Sequence, residues 1–330
     1  MSEYFGPPRG VTAIKSGAFE AWILPIGARL MQLWWLTAPK GPRPLCLGYR
    51  TPDDYLFDSM SMGSVCGRYG NRIGNALLER GGDQFFLDAN HPLGHCIHGG
   101  RVGFGARIWS VKVQSMGAVQ LSLCSSDGDQ GFPGNCHAVI DYAFQDDHTL
   151  RWQAYATVDR PCPINLIPHP YWNLDGRGTI TTHRLWVNAN HYLPLDDEEL
   201  PLPLRAVDET VFDFRKAKFI SENSIPVLDG AMRLNDEKHT STGLTLAAIC
   251  EADGLQLSVS TDRPFLHLYG GVALSGHRPA LGVKHVPGAG LCLETSDWPN
   301  GPANDREEVW YDANRAYTHT AEWRFQSIVA

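Results

Sequence analysis

Leu150-Arg151-Trp152-Gln153-Ala154-Tyr155-Ala156-Thr157-Val158 alternates without a slip. Leu150, Trp152, Ala154, Ala156 and Val158 fall on one side of an extended chain, and Arg151, Gln153, Tyr155 and Thr157 on the other. A period of two sustained this long is the mark of a strand with one face in the core and one in water. Gly254-Leu255-Gln256-Leu257-Ser258-Val259-Ser260-Thr261 repeats it, and Val119-Gln120-Leu121-Ser122-Leu123 does so more briefly. Strands buried on both faces, as in a parallel sheet, would be continuously apolar, so these predict antiparallel sheets.

Between the alternating runs lie turn residues: Ser126-Asp127-Gly128-Asp129-Gln130-Gly131-Phe132-Pro133-Gly134-Asn135, Asp175-Gly176-Arg177-Gly178, Gly270-Gly271 and Pro287-Gly288-Ala289-Gly290. The 33 Gly and 22 Pro of the 330 residues are scattered between apolar segments instead of pooled in a linker. That distribution suits many turns joining many strands. Long amphipathic helical windows, fixed-period repeats and low-complexity tracts are absent. The pattern therefore predicts an all-β sandwich or barrel, with residues 1–330 forming a single domain. The acidic run Asp196-Asp197-Glu198-Glu199 reads as a solvated loop.

A net charge of −8 argues against nucleic acid as a partner, because most of the surface would repel phosphates. A neutral small molecule is the easier ligand. The opening residues show no basic segment followed by an apolar one, and no run of about 18 apolar residues occurs, so no membrane association and a cytoplasmic location are expected. Eight cysteines stand singly, without a C-x-x-C pair, as reduced and mostly buried thiols would. Cys96, between His95 and His98, has no second ligand pair at zinc spacing, and no metal site is expected.

Four segments carry chemistry. Gly67-Arg68-Tyr69-Gly70-Asn71-Arg72-Ile73 and His95-Cys96-Ile97-His98-Gly99-Gly100 are a strand and a turn apart, which should bring Arg72 and His98 to one pocket. In Ile167-Pro168-His169-Pro170-Tyr171-Trp172, two prolines hold His169 on a stiff extended segment. In Leu291-Cys292-Leu293-Glu294-Thr295, Glu294 sits within an apolar strand, where an idle carboxylate would be costly. A carboxylate and an imidazole of this kind form a general base and acid. Arg72 offers a fork of donors, and Tyr171 and Trp172 are candidates for the wall and platform of a ligand site.

In this order and with these neighbours, the segments resemble the aldose 1-epimerase (galactose mutarotase) family. Trp22 through Leu30 is similar to its opening strand and Gly-Ala turn. His98-Gly99-Gly100 continuing to Gly103-Phe104 and Arg107-Ile108-Trp109, the Ser126 to Gly134 turn, and Phe212-Asp213-Phe214-Arg215 resemble further family signatures. The resemblance implies a large β-sandwich whose concave face carries the sugar site. It implies Glu294 as base, His169 as acid and His98 as a further catalytic histidine, with Asn71, Arg72 and Asp229 contacting sugar hydroxyls. It also implies interconversion of the α and β anomers of a free aldose, with no cofactor, since no electrons move and no group is transferred. Arg263-Pro264-Phe265-Leu266-His267-Leu268-Tyr269-Gly270 departs from the family's pattern by placing His267 where an amide is usual, so the favoured sugar need not be galactose.

Two relatives of different function share the sandwich in principle. A non-catalytic carbohydrate-binding protein would need neither Glu294 nor His169. A hexose-6-phosphate epimerase would need clustered Arg or Lys near these segments, and none is visible there. A retaining glycosidase would use two close carboxylates, for which Asp229 and Glu294 are the candidates, but the histidines favour the epimerase. Monomer and homodimer both remain open.

Overall fold

The computed structural model describes residues 4–236, 240–276 and 278–328. These are strands joined by turns and short 3-10 segments, and the strand pairings are antiparallel. Thr149–Val158 is a strand whose Leu150, Trp152, Ala154, Ala156 and Val158 are buried while Gln153 and Tyr155 face water, as the alternation requires. It lies inside a nine-stranded sheet in the order Ser110–Gln114, Ala118–Ser125, Cys136–Phe144, Thr149–Val158, Tyr317–Ser327, Leu255–Thr261, Thr245–Ala252, Arg184–Val187, Lys218–Phe219.

A second sheet of six strands runs Tyr171–Trp172, Leu291–Ser296, Phe265–Tyr269, Asp229–Leu234, Ala189–Leu193, Arg205–Ala206. The two pack over a continuous apolar core, as in a β-sandwich. Trp172 from the six-stranded sheet meets Trp323 and Phe325 from the nine-stranded one, with ring centroids 5.4 and 5.8 Å apart. Among the described residues, no helix is long and apolar enough to cross a membrane. All eight cysteines are free and all but Cys124 are buried.

Trp172 thus departs from its expected place as a platform for sugar. Successive residues of a strand point to opposite faces, so if Tyr171 faces the outer side of the sheet, Trp172 must face the core. It is fully buried there, and its Nε1 has no hydrogen-bond partner. Trp172→Ala should therefore cost about 3–5 kcal/mol of stability, whereas Trp172→Phe should cost much less because it also removes the unpaired N–H. Chemical denaturation checks this, together with a KM unchanged for the folded protein. A raised KM in a fully stable variant would return Trp172 to the site.

Candidate active site

The outer face of the six-stranded sheet forms the floor of a small cavity. Cross-strand register sets Tyr171, Cys292, Tyr269 and Asp229 in one row, and Glu294 and His267 side by side in the next. Directly paired residues of antiparallel strands share a face, so the apolar residues between them, Leu291, Leu293, Leu266 and Leu268, point to the core. Glu294 is placed among apolar neighbours in sequence because it alternates with them in space.

The wall comes from the two glycine-rich segments. Arg72–Ile73 pairs with Cys96–Ile97, Ile97 standing opposite Arg72. Gly99 follows, with φ of 85°, and a Cβ at that position would lie 1.9 Å from the Gly67 carbonyl oxygen. Only glycine allows the two loops to cross so closely. The crossing sets the Asn71 amide N–H 3.3 Å from His98 Nδ1 and the His98 N–H 3.1 Å from the Asn71 carbonyl.

His169 completes the site from its own extended segment. Its N–H donates to the Ser64 carbonyl and its carbonyl accepts from Gly63, which fixes the backbone between the two prolines. His169 Nε2 lies 3.3 Å from Glu294 Oε1, and both side chains are almost wholly buried. Glu294 Oε2 accepts no hydrogen bond from the protein. The other face of the imidazole meets Cys292 Sγ at 3.6 Å from Nδ1. Burial, and then the Glu294 carboxylate, push the Cys292 thiol well above its ordinary range, so it keeps its proton.

The resulting cavity is about 230 Å³ and is lined by Asn71, Arg72, His98, His169, Tyr171, Asp229, His267, Tyr269 and Glu294, with Ser59, Met60 and Ile97 at its edge. That is smaller than the roughly 300–1,000 Å³ of drug-sized sites and suits one small polar molecule. His169, Cys292 and Glu294 place ligand atoms within 4.8 Å of one another, and they are the group among the described residues close enough to chelate a cation. An imidazole and a carboxylate so placed also suit proton transfer.

Comparison with known proteins bears on what such a site belongs to. The family model described as aldose 1-epimerase matches residues 10–324. The chain belongs to the aldose 1-epimerase family. The Escherichia coli K12 protein named aldose 1-epimerase is 31% identical, covering 97% of this chain and 95% of that protein. The human protein named galactose mutarotase is 31% identical over 84% of this chain and 83% of its own length. Among solved structures, a GalM/aldose epimerase homologue from C. elegans superposes with a TM-score of 0.88 at 28% identity, covering 97% of this chain and 100% of that one. A galactose 1-epimerase from Lactobacillus acidophilus, at 23% identity and a TM-score of 0.84 over 100% of this chain and 98% of its own, shares the fold. As a member of the aldose 1-epimerase family, the chain is an isomerase.

In this epimerase, eight of the nine residues singled out from sequence line one cavity, and Trp172 is the exception. His95 is buried behind the wall, where its Nδ1 accepts from the Asn75 N–H and its Nε2 meets the Glu198 carbonyl at 2.9 Å. Cys292 and Tyr269 were not singled out as site residues, although each lies two residues along a strand from one that was, and a period of two finds both. Met60 and Ser59 reach the cavity from a loop with no periodic signal. The acidic run corrects its own reading: Glu199 is half-exposed but turns its carboxylate onto Arg72 Nη2.

The charges in the cavity are strongly biased. Burial, then the positive potential of His169, Arg72 and His267, hold His98 well below the usual histidine range. His98 is therefore neutral near pH 7, and because its Nδ1 accepts from Asn71, its Nε2 carries the hydrogen and acts as a donor. His267 and Asp229 form a close pair, Nε2 to Oδ1 at 2.7 Å. Burial opposes both charges, but the mutual hydrogen bond and attraction outweigh it, raising His267 above 6.5 and lowering Asp229 below 3.8. The His267 contribution to stability is complete below its unfolded value of 6.5 and is lost as pH rises through the raised one. The Asp229 contribution holds above 3.8 and is lost as pH falls through the lowered value. The melting-temperature gap between wild type and His267→Gln should then be widest from about pH 4 to pH 6.5 and narrow above that window. A gap that stays constant with rising pH would show that His267 carries no charge in the folded protein.

Proposed function

We propose that the chain interconverts the α and β anomers of a free neutral aldose by general acid–base ring opening and reclosure. The observation that carries this reading is the 3.3 Å approach of His169 Nε2 to Glu294 Oε1 on the floor of a monosaccharide-sized cavity. The anomeric hydroxyl oxygen and the ring oxygen of an aldose are both bonded to C1, so two groups this close can serve both oxygens at once. Glu294 takes the proton from the C1 hydroxyl, the C1 to ring-oxygen bond breaks to leave an aldehyde, and His169, as the imidazolium, gives its Nε2 proton to the released ring oxygen and becomes neutral imidazole. Rotation about the C1–C2 bond presents the opposite carbonyl face. Ring closure runs the transfers in reverse, with the imidazole as base and the Glu294 carboxylic acid as donor, so both groups return to their starting states. Neutral His98 donates toward the oxygen that gains charge, and Asn71, Arg72, Asp229, His267 and Tyr171 hold the outer hydroxyls.

The reading takes residues 1–330 as a single domain, and the cytoplasm as the compartment that eight free thiols fit. A phosphate-binding epimerase has no support from the cavity, whose one lysine or arginine is Arg72, already paired with Glu199. Polarimetry on freshly dissolved α-glucose, α-galactose, α-xylose and α-arabinose tests the proposal. The approach to the equilibrium rotation should accelerate in proportion to enzyme for at least one of the four, and a rate equal to buffer for all of them would refute it.

A further inference from the structure

We propose that Glu199 is a specificity-determining residue which, by holding the Arg72 guanidinium at the rim of the cavity, restricts the site to neutral aldoses and turns away those bearing a carboxylate or phosphate. This rests on the epimerase reading above and extends it to the class of sugar admitted.

Three observations carry the inference. The first is the pairing. Arg72 is nearly buried, its Nη2 donates to Glu199 Oε2, and its Nε has no partner in the protein. The fork that would recognise an anionic group is therefore occupied by an internal one, while its remaining donors still suit hydroxyls.

The second is that Glu199 is held in place. Its backbone is left-handed, with φ of 60°, inside a closed turn. Asp196 Oδ1 accepts from the amides of Glu198 and Leu200, Leu195 bridges to Pro201, and the Leu202 N–H donates to the Pro194 carbonyl. His95 Nε2 anchors the turn through the Glu198 carbonyl, and His91, stacked on His95 with planes 11° apart, places its Nε2 3.3 Å from the Glu199 carboxylate. A freely solvated acidic loop needs none of these restraints.

The third is the surrounding charge. The carboxylates of Asp229 and Glu294 face the cavity, against the cations Arg72, which Glu199 pairs, and, when protonated, His267. His91 is held below the usual histidine range by burial and by Arg72, and adds no compensating charge near pH 7. An entering anion meets the Asp229 and Glu294 carboxylates and no free guanidinium, which is how repulsion excludes a wrong ligand while hydrogen bonds retain the right one.

The test compares kcat/KM for glucose, glucuronate and glucose 6-phosphate in wild type, Glu199→Gln and Glu199→Asp, with calorimetric affinities for the same three sugars. In Glu199→Gln the anion-to-glucose ratio should rise by at least about tenfold, and that gain should shrink as salt is raised from about 0.01 M to 1 M and the screening length falls from about 30 Å to 3 Å. Glu199→Asp, which keeps the charge, should stay near the wild-type ratio. A rise for glucuronate alone, or for the phosphate alone, identifies which anionic group the freed Arg72 accepts. A ratio within about twofold of wild type for both anions, or a wild type that handles glucuronate as well as glucose, overturns the proposal. Affinities are read without turnover, so a chain that binds glucose but never epimerises it would defeat the functional reading alone and leave this one to be decided by the binding ratios.

Discussion

Glu294→Gln should lower kcat for anomer interconversion by about 10²- to 10⁴-fold, with KM changed far less. The substitution keeps the size and planarity of the side chain and keeps an oxygen facing His169, but it removes the negative charge that accepts the C1 hydroxyl proton. Its Oε2 is buried and has no hydrogen-bond partner in the protein. The neighbouring strand puts His267 directly opposite, with its Nε2 paired to Asp229 Oδ1 at 2.7 Å. Stopped polarimetric or coupled assays, corrected for the spontaneous rate, check the expected loss. A Glu294→Gln enzyme retaining more than about a tenth of wild-type kcat would show that proton abstraction lies elsewhere.

His169→Asn should produce a loss of the same order, because ring opening stalls when the ring oxygen has no proton donor. Asparagine can still reach toward Cys292 but cannot carry a transferable proton at the position of Nε2, 3.3 Å from the carboxylate. The backbone of the segment is fixed by bonds to Ser64 and Gly63 that do not involve the ring, so the variant should fold. A circular dichroism spectrum and melting temperature near wild type, with kcat reduced by about 10²-fold or more, is the expected combination. Loss of activity together with loss of folding would instead assign His169 a structural role.

The fold was legible wherever one sheet face is wet. Leu150 to Val158 announces its strand because Gln153 and Tyr155 alternate with buried residues. Phe19–Leu24 and Arg29–Trp35 are buried throughout, so they show no such period and only the family resemblance points to them. The site was legible through residue types that are costly without a purpose: Glu294 amid leucines, His169 between prolines, Arg72 and His98 beside glycines. Trp172 was misplaced because composition makes an aromatic beside Tyr171 look like a second sugar platform, while strand geometry sends it to the opposite face. Glu199 was missed for the reverse reason. A run of four acids reads as solvated, and nothing local reveals that a turn far along the chain folds back onto Arg72. Cys292 lay in view two positions before Glu294, but a lone buried cysteine says nothing until its distance to His169 Nδ1 is known.

The account stands on Glu294 and His169 acting as one unit on a single hemiacetal, and the most direct measurement is polarimetry on the double variant Glu294→Gln/His169→Asn beside its two single variants. If one concerted transfer needs both groups, either substitution alone removes nearly all of the acceleration, and the double variant should be no more than about tenfold slower than the slower single. Singles that keep wild-type rates, or two losses that multiply in full, would contradict a shared proton transfer.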